Sequence, residues 1–258
     1  MEGVQCDYLS ELDVVWDRSE TLTEKPFHYC PGCGHSVMNR LLMEVVQELG
    51  IQDKTIGVAP VGCAVFMYHY MDIDMQEAAH GRASAVATGI KRILPDRFVF
   101  SYQGDGDLAA IGTAETIHTV NRGENIIMLF INNGIYGMTG GQMAPTTLKG
   151  SITSTTSSGR EYDRHGYPLD ITPLISQLPG ASYVTRQSVD TAKAVRKTKK
   201  ALTKAFQFHM NGGEGVCFLE IVSNCPSGWK MTPIESNEWL QDHVFNHYPL
   251  GDIKPFPK

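Results

Sequence analysis

Two apolar patterns alternate along the chain. Residues 125–132 (NIIMLFIN) and 215–222 (GVCFLEIV) are almost continuously apolar, the pattern of strands in a sheet covered on both faces. Residues 54–60 (KTIGVAP) and 97–103 (RFVFSYQ) are short strand patterns that run on to Gly62 and Gly104. Between them, residues 81–94 are rich in small side chains and stop at Pro95, and residues 107–120 (DLAAIGTAETIHTV) carry a helical spacing. Residues 190–208 predict a basic amphipathic helix. Strands alternating with helices predict an α/β fold, a three-layer parallel sheet with helices on both faces.

Two regions interrupt this rhythm. A long loop from Asn133 leads into the Ser/Thr-rich residues 151–160 (SITSTTSSGR). Loops after a strand's carboxyl end are where open α/β sheets bind ligands, although a mobile surface loop reads the same way. Residues 1–24 and about 226–258 lack periodicity and are expected to wrap the core or a partner chain. The organisation predicted is a single domain over 1–258, with its core at about 25–230 and an extension at each end.

Bulk composition narrows the function classes. The 258 residues are 42% hydrophobic and 19% charged, enough for a large core and incompatible with extended disorder. A net charge of −6 gives no reason to expect a nucleic-acid partner. No apolar run approaches the ~18 residues of a membrane span. The opening stretch MEGVQCDYLSELDVVWDRSE lacks the basic flank and apolar core of a secretory signal. The expected location is cytoplasmic, where six cysteines point to metal or redox chemistry before disulfides.

Gly104-Asp105-Gly106 falls between a predicted strand and a predicted helix. Its glycines allow a tight turn whose N–H groups approach a phosphate, and Asp105 offers the hard oxygen that magnesium prefers. The next strand closes on Asn132-Asn133-Gly134. Parallel neighbours bring their carboxyl ends side by side, so Asp105 and Asn133 can meet on one ion. GDG alone is a common turn; GDG after a strand with NN closing the next is far more specific. The pair resembles the thiamine-diphosphate motif of transketolases, 2-oxo acid decarboxylases and 2-oxo acid oxidoreductases. That resemblance implies magnesium on Asp105, the Asn133 side chain and the Ile135 carbonyl.

Cys30-Pro31-Gly32-Cys33 is a Cys-x-x-Cys turn, and Cys63 and Cys225 follow predicted strand ends. Sharing one sheet edge, the four sulfurs would surround one point. An iron–sulfur cluster and zinc both remain open on spacing alone, although a zinc ribbon normally pairs two such knuckles. A thioredoxin-like pair would leave Cys63 and Cys225 unexplained. Cys6 and Cys217 read as incidental or buried thiols.

In order along the chain, CPGCGH, VGC, AHGRA, GDGD, NNGIYGMTGGQ and SNCPSGW together resemble the β subunit of 2-oxoacid:ferredoxin oxidoreductases, over roughly residues 25–230. The resemblance implies the thiamine-diphosphate-binding fold and a [4Fe–4S] cluster on Cys30, Cys33, Cys63 and Cys225. It also implies cofactor contacts from Val61, Gly62, Cys63, Ala64, His80, Gly104, Gly106, Asp107, Gly137 and Met138. His80 is expected to touch cofactor or substrate rather than only cap a helix. Arg82 meets either a substrate carboxylate or a surface glutamate. The implied activity is oxidative decarboxylation of a 2-oxo acid to acyl-CoA with coenzyme A, reducing ferredoxin. An α/γ partner subunit would supply the pyrimidine-side domain and its activating glutamate. Some members acting on 2-oxoglutarate carry a lysine where Gly140 stands, so an apolar tail as in 2-oxoisovalerate is favoured, with 2-oxoglutarate the alternative. The rivals are a non-redox thiamine enzyme component, which needs no four cysteines, and a small electron-transfer or zinc module, which needs no GDG…NN.

Overall fold

In the computed structural model, residues 17–257 are described; Cys6 lies outside them. The strands are β1 (Thr55–Ala59), β2 (Asp74–Glu77), β3 (Phe98–Gly104), β4 (Ile127–Asn132), β5 (Ile135–Tyr136), β6 (Gln142–Met143), β7 (Ala181–Ser188), β8 (Val216–Val222) and β9 (Gly251–Lys254). Seven form one sheet in the order β2-β1-β3-β4-β8-β7-β9. Every pairing is parallel except β9 against β7. β5 and β6 form a separate small hairpin.

The helices are α1 (Gly34–Glu48), α2 (Ala83–Ile93), α3 (Thr113–Asn121), α4 (Tyr162–His165), α5 (Ile171–Gln177), α6 (Ala192–Met210), α7 (Pro226–Trp229), α8 (Pro233–Trp239) and α9 (Phe245–His247). The alternation of β4 explains its continuous apolar run. Ile127, Leu129 and Ile131 pack with α1 and α6 on one face, whereas Met128 and Phe130 pack with α2 and α5 on the other. Both faces are covered, which is the expected three-layer architecture.

Four of the elements that go beyond the sequence expectation bear on the architecture. α1 buries Met38, Leu41, Leu42, Val45 and Val46 at helical spacing. β2 is mostly exposed, so its DMQE has no apolar face to read. β7 (ASYVTRQS) hides a polar interior: Arg186 is 1% exposed and meets Glu220 at 2.5 Å. β9 comes from the C-terminal extension and completes the sheet edge. The helix expected over 107–120 is split. A wide turn (Asp107–Ile111) precedes α3 because Gly112 presses on Gly81, whose carbonyl oxygen would lie 2.7 Å from a Cβ at Gly112. Among the described residues no helix is long and apolar enough to cross a membrane.

Candidate active site

β3 and β4 pair in parallel with Gly104 opposite Ile131, so Asp105 and Asn133 emerge just past adjacent strand ends. Asp105 is 2% exposed. Its Oδ1 accepts from the Gly106 N–H at 2.8 Å and its Oδ2 from the Thr146 hydroxyl at 2.6 Å. Burial nevertheless pushes its carboxyl up to about 6. Such a desolvated carboxylate suits a cation as partner. Asn133 Oδ1 accepts from the Ile135 N–H at 3.3 Å across a turn in which Gly134 has φ 68°. The Tyr248 hydroxyl holds the Thr146 carbonyl at 2.9 Å.

The loop behind Thr146 is ordered by one side chain. Arg160, 3% exposed, donates to the carbonyls of Ala144, Pro145, Thr147, His165, Gly166 and Tyr167. The long loop is therefore a scaffold that delivers Thr146 to Asp105, not a mobile surface segment.

A cavity of about 150 Å³ opens at these strand ends. Val61, Gly62, Cys63 and Ala64 wall it from the turn after β1, and His80 from the turn before α2. Gly104, Asp105, Gly106 and Asp107 form its floor, opposite Asn133, Ile135, Gly137 and Met138. All thirteen residues expected to touch cofactor or magnesium thus face one space. Gly106 is in contact with the Tyr136 ring, whose Cε1 would be 2.0 Å from any Cβ there. A larger cavity, about 270 Å³, lies behind Asn133 under Trp229, Trp239 and Tyr248.

The four cysteines converge on the same edge. A backbone turn links the Cys33 N–H to the Cys30 carbonyl at 3.0 Å. Asn224 donates to the Gly32 carbonyl at 3.1 Å, which ties the Cys-x-x-Cys turn to the residue before Cys225. A Cβ at Gly137 would stand 3.2 Å from Cys63 Sγ and 3.3 Å from Cys225 Sγ. Trp229 donates to the Asn133 carbonyl at 3.1 Å, joining this cysteine segment to the diphosphate end. No three of the described His, Cys, Asp and Glu side chains are placed to hold one metal ion. A four-iron cluster bonds each thiolate to a different iron, so its ligands stand wider apart than those of a single ion.

The electrostatics fit that donor set. Burial, then the neighbouring Cys33 and Cys30, push the Cys63 thiol up to about 11. Burial, then Cys33 and Cys63, push Cys225 up to about 12. Burial and Cys30 likewise raise Cys33. Crowded buried thiols resist ionisation unless a cationic centre binds the thiolates. Cys217 is fully buried in β8, away from this edge.

Arg82 takes the second partner expected for it. It lies outside the cavity lining, 2.6 Å from Glu115, and donates to the Ile111 carbonyl. His80 does more than cap: its Nδ1 lies 2.5 Å from Asp107 Oδ1. Sequence reasoning missed Thr146, Tyr136 and Tyr248. Only the position of Thr146 in a long loop after a strand end hinted at it.

The chain matches the family described as thiamine pyrophosphate enzyme, C-terminal TPP binding domain, over residues 60–221. It is 41% identical to ketoisovalerate oxidoreductase subunit VorA of Methanothermobacter thermautotrophicus, over 94% of this chain and 51% of that protein. It is 35% identical to 2-oxoglutarate synthase subunit KorB of Archaeoglobus fulgidus, over 99% of this chain and 87% of that one. A solved 2-oxoglutarate:ferredoxin oxidoreductase from Magnetococcus marinus superposes with a TM-score of 0.76 at 26% identity, covering 95% of this chain and 86% of that one. The chain spans about half the length of the VorA relatives. Its cleft, its fold and these likenesses agree: the chain belongs to the family of thiamine-diphosphate-binding β subunits of 2-oxoacid:ferredoxin oxidoreductases.

Proposed function

We propose that this chain holds magnesium and thiamine diphosphate in the cleft between β1, β3 and β4, and a [4Fe–4S] cluster on Cys30, Cys33, Cys63 and Cys225. As part of a larger enzyme it oxidatively decarboxylates a 2-oxo acid with coenzyme A, giving acyl-CoA and carbon dioxide and passing electrons through the cluster to ferredoxin. The observation that carries this reading is Cys63, which lines the cleft and lies beside Cys225 across Gly137. A cluster held by Cys63 would accept electrons released in the cleft, because the Cys63 side chain lines that cleft.

Bound thiamine diphosphate supplies the carbon nucleophile and the sink for electrons released on decarboxylation. Asp105, the Asn133 side chain and the Ile135 carbonyl hold the magnesium. The Gly104–Gly106 turn lets the diphosphate approach the backbone, and Val61–Ala64, Asp107, Gly137, Met138 and His80 line its surroundings. No glutamate lines the cleft among the described residues, so the activating glutamate comes from an α or γ subunit. The single thiamine-diphosphate-binding domain expected for the chain is supported by β9 of the C-terminal extension, which is a strand of the main sheet among the described residues.

The substrate we favour is of the 2-oxoisovalerate type, because Gly140 stands without charge where some 2-oxoglutarate members carry a lysine, and VorA relatives are named for ketoisovalerate. The KorB relatives support 2-oxoglutarate as the alternative. Anaerobic purification of the whole complex, with iron, sulfide and thiamine assayed together, tests the cofactor set. Acyl-CoA formation from each 2-oxo acid tests the reaction. Thiamine without iron, or iron without thiamine, overturns the proposal.

A further inference from the structure

We propose that His80 exchanges a proton with the keto oxygen of the substrate through its Nε2, and that Asp107 is the positioning residue that prepares it. This rests on the function proposed above.

Asp107 is 3% exposed, and three N–H donors converge on it beside His80 Nδ1. Its Oδ1 accepts from Gly81 N at 2.9 Å and Val61 N at 3.4 Å and faces His80 Nδ1 at 2.5 Å. Its Oδ2 accepts from Gln103 Nε2 at 2.6 Å. Reversing the Gln103 amide would set its oxygen against Asp107 Oδ2, two acceptors facing each other, so Nε2 faces Asp107 and Oε1 accepts the Ser84 hydroxyl at 2.9 Å. A carboxylate surrounded in this way only accepts, so the hydrogen between it and His80 sits on Nδ1.

That fixes the other ring nitrogen. His80 Nε2 has no hydrogen-bond partner among the described residues, and the side chain, 35% exposed, lines the cleft with Asp105 and Gly106. Neutral imidazole presents a lone pair there, and imidazolium presents N–H. Both states keep the bond to Asp107, so a proton can come and go at Nε2 without the ring turning. The remaining titratable groups lining the space are Asp105, Cys63, Tyr136 and His35, and none hydrogen-bonds the imidazole.

The proton balance is closed. When the keto carbon of a 2-oxo acid gains a bond, its carbonyl π pair moves to oxygen. The Nε2–H proton passes to that oxygen, the N–H pair stays on nitrogen, and the ring becomes neutral. Solvent at the open side of the cleft returns a proton to Nε2. Asp107 exchanges none.

The test uses the reconstituted complex carrying His80→Gln or Asp107→Asn. Thiamine and iron contents and KM should stay within threefold of wild type, while kcat falls about 100-fold or more, the usual worth of general acid–base catalysis. A histidine-labelled 15N spectrum, with His80 assigned by its loss in His80→Gln, should show its Nδ1 carrying hydrogen in wild type and a mixed tautomer in Asp107→Asn. Either variant keeping kcat within threefold, or losing thiamine in step with kcat, overturns the proposal and leaves a structural cap. An unchanged tautomer in Asp107→Asn overturns the role of Asp107. A wild-type complex inert towards every 2-oxo acid would instead sink the proposed function, and the tautomer measurement would still judge the pair.

Discussion

Asp105→Asn should stabilise the metal-free protein while abolishing its hold on the cofactor. Asp105 is 2% exposed, and burial raises its carboxyl from an ordinary 3.8 to about 6. At about 1.36 kcal/mol per tenfold change in proton affinity, keeping it ionised costs the fold about 3 kcal/mol at neutral pH. The sign follows from linkage. The folded chain binds this proton more tightly than the unfolded one, so the stability contribution is complete below pH 4 and is lost as pH rises through 6. Asparagine cannot ionise and carries no such cost, but it gives up the charge-assisted bonds from Thr146 and Gly106, worth about 1–2 kcal/mol. The net expectation at pH 7.5 is a variant about 1–2 kcal/mol more stable than wild type. Urea denaturation in EDTA at pH 5.0 and 7.5 measures it, and the gap should narrow or reverse at the lower pH. A variant less stable at pH 7.5, with the wild-type pH dependence intact, would refute the reasoning.

Other substitutions probe the remaining walls. Gly106→Ala keeps a helical backbone (φ −67°) but forces the Tyr136 ring to move by about 1.4 Å to reach ordinary contact. Thiamine retention should fall tenfold or more with little change in melting temperature; unchanged retention would clear Tyr136 of any part in the cradle. Arg160→Ala strands six carbonyls, which should cost about 2–4 kcal/mol and open residues 144–167 to limited proteolysis, with no rescue by lysine. Cys63→Ser should lose the brown chromophore and most of the iron while thiamine stays bound; full iron content would exclude Cys63 as a ligand.

The parts of this site that were readable share one physical trait: each is a tight backbone turn at the end of a strand or the start of a helix. Gly104–Gly106, the Asn132-Asn133-Gly134 turn and the Cys30–Cys33 turn depend on residue types that few other structures require. The continuous apolar runs of β4 and β8 follow from burial on two faces. The supporting contacts were not readable because they join residues far apart in the chain. Thr146 reaches Asp105 across 41 positions, and Tyr248 reaches Thr146 across 102. β7 was hidden because its buried Arg186 is neutralised by Glu220 and Asp170 on other elements, and no local pattern announces such a pairing. Arg82 could not be resolved between its two partners, since Glu115 comes within reach only once α3 has turned at Gly112.

The bond from Asn224 to Gly32 spans 192 positions, and that distance sets an order of assembly. A nascent chain emerging from the ribosome exposes Cys30 and Cys33 early, then Cys63, and must finish β8 before the fourth sulfur arrives. Until then the first three thiols have no enclosed pocket, and on the proposed function any iron delivered to them would be open to oxygen and to competing chelators. On the proposed function, closure of the cluster site is thereby deferred until the chain has been made as far as Cys225.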